Sequence, residues 1–90
     1  MSDTQRRDTL ERKRKLDEQL SKIISKDWND LVNKSNEYIS QIQQSTLSFY
    51  QDQLEKELDE MENAIRERNI ERAMYHRAAA ENYLRLLNWF

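Results

Sequence analysis

Apolar residues recur at steps of three and four positions through most of this chain, a spacing typical of amphipathic α-helices. A first apolar stripe consists of Leu16, Leu20, Ile23, Ile24, Trp28, Leu31, Tyr38, Ile39 and Ile42. A second stripe, close to the heptad spacing of a coiled coil, consists of Leu47, Leu54, Leu58, Met61 and Ile65. Both stripes predict helix faces that pack against a hydrophobic core.

The first fifteen residues differ from the rest, because Leu10 is their one large apolar side chain after Met1. Their charges are nevertheless spaced as on a helix, with Glu11 four positions before Lys15. We therefore expect residues 1–15 to form a charged helical extension that frays at its start. Residues 16–90 are then expected to form the helical domain.

Three segments are candidates for chain reversal: 33–36, 43–46 and 66–72. The first is rich in turn-forming residues, and the second precedes a possible capping box from Ser48 to Gln51. The third places Arg68 and Arg72 where the heptad requires apolar residues. A turn at 33–36 would bring the basic block at 11–15 beside the acidic residues at 52–62, whereas a turn near 45 would not. The apolar stripe keeps its phase through both segments, so the position of the first turn stays open.

The C-terminal segment, expected to be helical over about 70–90, is the most apolar part of the chain. Its polar residues form one narrow ribbon of Arg77, Glu81, Arg85 and Asn88. Because a surface helix is normally apolar on one stripe alone, at least two neighbours must cover this helix. Since the other stripes are narrow, we expect a second chain to contribute. The predicted interface residues are Tyr83, Leu84, Leu87, Trp89, Phe90, Leu54, Leu58, Met61 and Ile65.

Composition supports an all-helical fold, because the chain contains no Gly and no Pro and is dominated by helix-forming residues. The predicted fold class is all-α, with long amphipathic helices in a helical hairpin or three-helix bundle. We expect coiled-coil packing within an oligomer. The net charge of −2 and the periodic apolar residues argue against a disordered chain.

The sequence offers little for catalysis or for metal binding. There is no cysteine, and His76 is the single histidine, with no carboxylate beside it on its own helix. Without Gly there is no phosphate-binding loop, and without a Glu-x-x-His motif there is no di-iron site. We therefore predict a protein that is not an enzyme and needs no cofactor or metal.

Three functions fit these patterns. The first is a non-enzymatic helical subunit or adaptor that assembles with other protein chains, either copies of itself or different proteins. The second is a nucleic-acid-binding helical dimer, or a localisation signal, that uses Arg12, Lys13, Arg14 and Lys15. The third is a small regulator that masks a partner's groove with an amphipathic helix. The low pI and the lack of aromatics near the basic block make nucleic acid the weaker alternative.

The start of the chain has no apolar signal-peptide core, and no apolar run is long enough to span a bilayer. We expect an intracellular protein, in the cytoplasm or the nucleus, that does not act in a membrane.

Overall fold

The computed structural model describes residues 3–24, 27–37 and 46–89, and within these ranges it contains four α-helices and no strand. Helix α1 covers Asp3–Ile23, α2 covers Trp28–Asn36, α3 covers Leu47–Arg66 and α4 covers Ile70–Leu86. The helices pack against one another, so the predicted all-helical class is confirmed. None of the described helices has the length and apolarity needed to cross a membrane.

Polar caps fix where three of these helices begin. Asp27 accepts a hydrogen bond from the Asn29 amide at the start of α2. Thr46 accepts one from the Phe49 amide at the start of α3, and Asn69 accepts one from the Arg72 amide at the start of α4. Each cap satisfies an amide that has no partner inside the helix. The α3 cap lies two residues before the predicted Ser48, so the position predicted for the capping box is wrong.

One of the three segments predicted to reverse the chain contains a turn in the structure. The turn between α3 and α4, at residues 67–69, lies inside the predicted segment 66–72. Segment 33–36 is the last turn of α2, which ends at Asn36. Segment 43–46 lies outside the described residues except for Thr46. The break between Ile23 and Trp28 was not predicted, because the apolar stripe continues across it in phase.

Helices α3 and α4 form an antiparallel hairpin with the most extensive contact in the molecule. Its register is marked by the pairs Glu60–Arg72, Glu57–His76 and Tyr50–Tyr83. Helix α1 lies against both helices of the hairpin, and α2 packs on α4. Helix α4 thus contacts three other helices, which meets the expectation of at least two neighbours.

Helix α1 begins at Asp3, within the segment 1–15 that the sequence predicts to be a charged helical extension. Thr9 and Lys13 are buried, and Arg6 donates a hydrogen bond to the Trp89 carbonyl at 3.3 Å. The first half of α1 therefore packs on the same core as the rest of the chain. Polar side chains with apolar stems provide this cover, which a count of apolar residues does not register.

Candidate protein-interaction surface

The predicted C-terminal anchor lies inside the molecule. Leu84 is fully buried, and Tyr83, Leu87 and Trp89 are nearly so. Phe90 lies outside the described residues. Asn88, with φ of 58°, ends α4 in a left-handed turn, and the Trp89 amide donates to the Leu84 carbonyl at 3.0 Å. This Schellman-type turn directs Trp89 back onto the core.

The predicted interface residues of α3 are also in the core. Leu54, Leu58 and Met61 are fully buried and Ile65 is nearly so. They belong to one cluster with Leu84, Leu87 and Trp89. The sequence predicts that a second chain contributes to the cover of these side chains. In the structure the chain's own helices cover them, because α1 buries one face against the hairpin and α2 packs on α4.

The polar ribbon of α4 is the place where α4 meets α1. Lys13 Nζ lies 2.6 Å from Asp17 Oδ2 and 2.8 Å from Glu81 Oε1. Arg77 Nε lies 2.9 Å from Asp17 Oδ1, and Arg77 Nη2 lies 2.7 Å from Glu81 Oε1. These four side chains form a closed, neutral ion-pair ring. Trp28 of α2 lies 4.8 Å from Arg77 Cζ, in a cation–π contact. The ion-pair ring therefore connects α1, α2 and α4.

The basic block proposed for nucleic acid is largely paired within the chain. Arg12 Nη2 lies 2.7 Å from Asp59 Oδ1, and Arg12 also reaches Glu55 and Glu62 at 3.5 Å each. Against the effect of burial, these acids raise the pKa of Arg12. Arg12 of the basic block thus lies beside the acidic residues of α3.

The two remaining exposed members of the block are Arg14 and Lys15. Arg14 pairs with Glu11 at 2.6 Å and with Glu18 at 3.2 Å, and the hydrogen bond from Arg14 lowers the pKa of Glu11. Lys13 belongs to the ion-pair ring. Three of the four cations therefore already have acidic partners, so little positive charge is left for phosphates.

His76 does face a carboxylate, contrary to the conclusion drawn from its own helix. Its Nδ1 lies 2.6 Å from Oε2 of Glu57, which comes from α3. Both side chains are largely buried. Glu57 could not be predicted as the partner of His76, because the pairing depends on the register between α3 and α4. Among the described residues there is no group of three or more potential ligands that could hold a metal ion.

Within the described ranges, three large apolar side chains remain exposed: Leu47 at 61%, Phe49 at 42% and Tyr75 at 39%. Leu47 and Phe49 lie in the first turn of α3, and we refer to them as the α3 corner. The prediction that Leu47 belongs to the core-facing stripe is wrong, because its side chain is exposed. Phe49 is five positions before Leu54, out of phase with the core, and this spacing is the signal that could have identified it.

Comparison with known proteins gives no relative: no family model, no curated protein and no solved structure matches this chain.

Proposed function

We propose that this chain is a non-enzymatic helical subunit or adaptor that binds another protein chain through the α3 corner. The observation that carries the proposal is the exposure of Leu47 and Phe49, whereas the other large apolar side chains in the described part of the chain are mostly covered. The fold therefore leaves apolar surface exposed at the α3 corner. The buried polar side-chain atoms of the described residues are all hydrogen-bonded.

The geometry of the corner suits a protein partner. Phe49 packs edge-on against Tyr50 with ring centroids 6.2 Å apart, so its ring is supported from one side and open on the other. A partly immobilised aromatic ring loses little conformational entropy on binding and offers a large apolar area. We propose that a helix of the partner packs here in a coiled-coil or bundle arrangement, and that the partner is a copy of this chain or a different protein.

A charge-introducing variant tests this function. Leu47→Lys with Phe49→Lys is expected to fold as the parent does, since both side chains are exposed. Loss of one anchor typically costs about 2 kcal/mol of binding, or about thirtyfold in affinity. The variant should therefore lose self-association in sedimentation velocity, or lose the protein chains that co-purify with the parent.

Ser48→Lys is the matched control, because it adds a cation in the same helical turn without removing apolar surface. It also shares any unfavourable interaction of the new cation with the helix N-terminus. The control should keep its partners. If the double variant melts like the parent and retains the same assemblies, the α3 corner is not the binding surface and the proposal fails.

A further inference from the structure

A second surface lies at the opposite end of α3 from the α3 corner. There the last turns of α1 and α3 border an open groove of about 360 Å³. We refer to it as the basic groove, and its lining residues are Gln19, Lys22, Ile23, Ile65, Arg66 and Arg68. Ile23 and Ile65 belong to the edge of the hydrophobic core, so the groove combines apolar side chains with three cations.

The cations of the basic groove are weakly neutralised by the chain itself. Lys22 lies 3.6 Å from Glu18, and Arg66 lies 3.8 Å from Glu62. Both cationic side chains are 71% exposed, and exposed pairs of this length contribute little. Arg68 forms no ion pair with any residue in the described ranges, and no acid is among the lining residues. The groove thus presents a net positive charge.

The helix dipoles account for two of these cations without any ligand. Lys22 and Arg66 lie in the last turns of α1 and α3, where positive charge is favoured. Arg68 lies beyond the end of α3 and has φ of 58°, in the left-handed region. A residue with a Cβ is less favourable there than glycine. Arg68 therefore adds a third cation to this end of α3, at a backbone position that glycine or asparagine usually occupies.

We propose that the basic groove binds an acidic peptide segment of a partner protein. An apolar side chain of the segment would lie against Ile23 and Ile65, and its carboxylates would pair with Lys22, Arg66 and Arg68. Charge complementarity selects this occupant, and the apolar part of the lining favours a peptide over a bare anion. The inference is independent of the α3 corner, since the two surfaces lie at opposite ends of α3.

Fluorescence anisotropy with a short labelled peptide of Glu, Asp and Leu tests the proposal. The same peptide with Lys in place of each acid, and a short single-stranded DNA, serve as competing probes. The acidic peptide should bind the full chain, and its affinity should fall as salt rises from about 50 to 200 mM. Arg68→Gly should weaken binding by about tenfold while leaving the protein at least as stable, because glycine relieves the left-handed strain.

Arg85→Gln is the control, since Arg85 is an exposed cation on α4 and does not line the groove. It should bind the acidic peptide like the parent, and Lys22→Gln should weaken binding as Arg68→Gly does. The proposal is overturned if the acidic peptide does not bind or if the lysine peptide binds equally well. It is also overturned if Arg85→Gln lowers affinity as much as Arg68→Gly, or if the DNA binds more tightly with the same dependence on Arg68.

Discussion

Tyr83 shows how a buried polar side chain sets a pH limit on this fold. Its ring packs 6.0 Å from that of Tyr50, and its surface is 7% exposed. Burial, assisted by the negative charge of Glu57, raises the pKa of the Tyr83 phenol above its ordinary value of 10.0. The folded chain therefore holds this proton more tightly than the unfolded chain does. The resulting contribution to stability is present below pH 10 and is lost as the pH rises through the folded pKa.

Tyr83→Phe is expected to remove this part of the pH dependence while keeping the ring in place. The free energy of unfolding, measured with urea between about pH 8 and 11, should fall less steeply for the variant than for the parent. Tyr75→Phe is the control, because Tyr75 is much more exposed. If the parent and Tyr83→Phe lose stability in parallel, the Tyr83 phenol is not the group that titrates late.

At the level of single residues, the sequence identified the core well and the contacts poorly. Leu54, Leu58 and Met61 follow from their spacing, since a helix places them on one face. The pairings of Lys13 with Glu81 and of His76 with Glu57 do not follow, because each joins residues of different helices. Such contacts depend on the register between helices, which no local pattern records.

At the C-terminal ends of α3 and α4, the residue types present are not always those that the backbone conformation favours. Helices α3 and α4 both end in Schellman-type turns, with Arg68 and Asn88 in the left-handed conformation. Glycine is the usual residue there and asparagine is a common substitute, so Asn88 is ordinary and Arg68 is not. The amides of Arg68 and Asn69 bond to the carbonyls of Ile65 and Ala64, which holds the turn despite the strain.

Replacing Arg68 with glycine is expected to raise the free energy of unfolding by about 1 kcal/mol. For a domain of this size the melting temperature should rise by about 4–8 °C. Arg66→Gly is the matched control: it removes a cation two residues earlier, but inside the helix, where glycine costs about 1 kcal/mol. Thermal melts of the two variants should move in opposite directions. Equal losses would mean that Arg68 is stabilising where it stands.

Helix α3 could be predicted from its heptad spacing, and α4 from the narrow polar ribbon along an otherwise apolar segment. Arg68 lies in the turn between them, where the heptad spacing requires an apolar residue. The separation of α1 from α2 could not be predicted. Ile23, Ile24 and Trp28 keep the phase of the apolar stripe across the break, and Asp27 is the one local sign of a new helix start. Aspartate is common at positions that do not cap a helix, so Asp27 alone does not predict a new helix.

At the scale of the whole molecule, the least expected feature is that three helices of the same chain cover the apolar α4. Judged by apolar residues alone, the other helices have too little apolar surface to cover α4. The structure uses charged residues as cover: the ion-pair ring lies over α4 between α1 and α2, with its side chains only 11–22% exposed. Its charges are mutually paired, so desolvation is offset by contacts from both sides. Helix α4, which the sequence predicts to be an interface, is therefore covered by the other helices of the same chain.

A core built from a single chain makes a prediction that separates it from an obligate oligomer. At concentrations where sedimentation velocity shows a monomer, the melting temperature of the parent should be unchanged over about a hundredfold dilution, because folding that requires association depends on protein concentration. Leu84→Ala should lower the free energy of unfolding by about 2–5 kcal/mol at every concentration, since Leu84 is fully buried. Leu47→Ala, at an exposed position, should change it little. If the parent instead melts at lower temperature on dilution, and Leu84→Ala increases that dependence, then association and not the chain's own packing completes the core around α4.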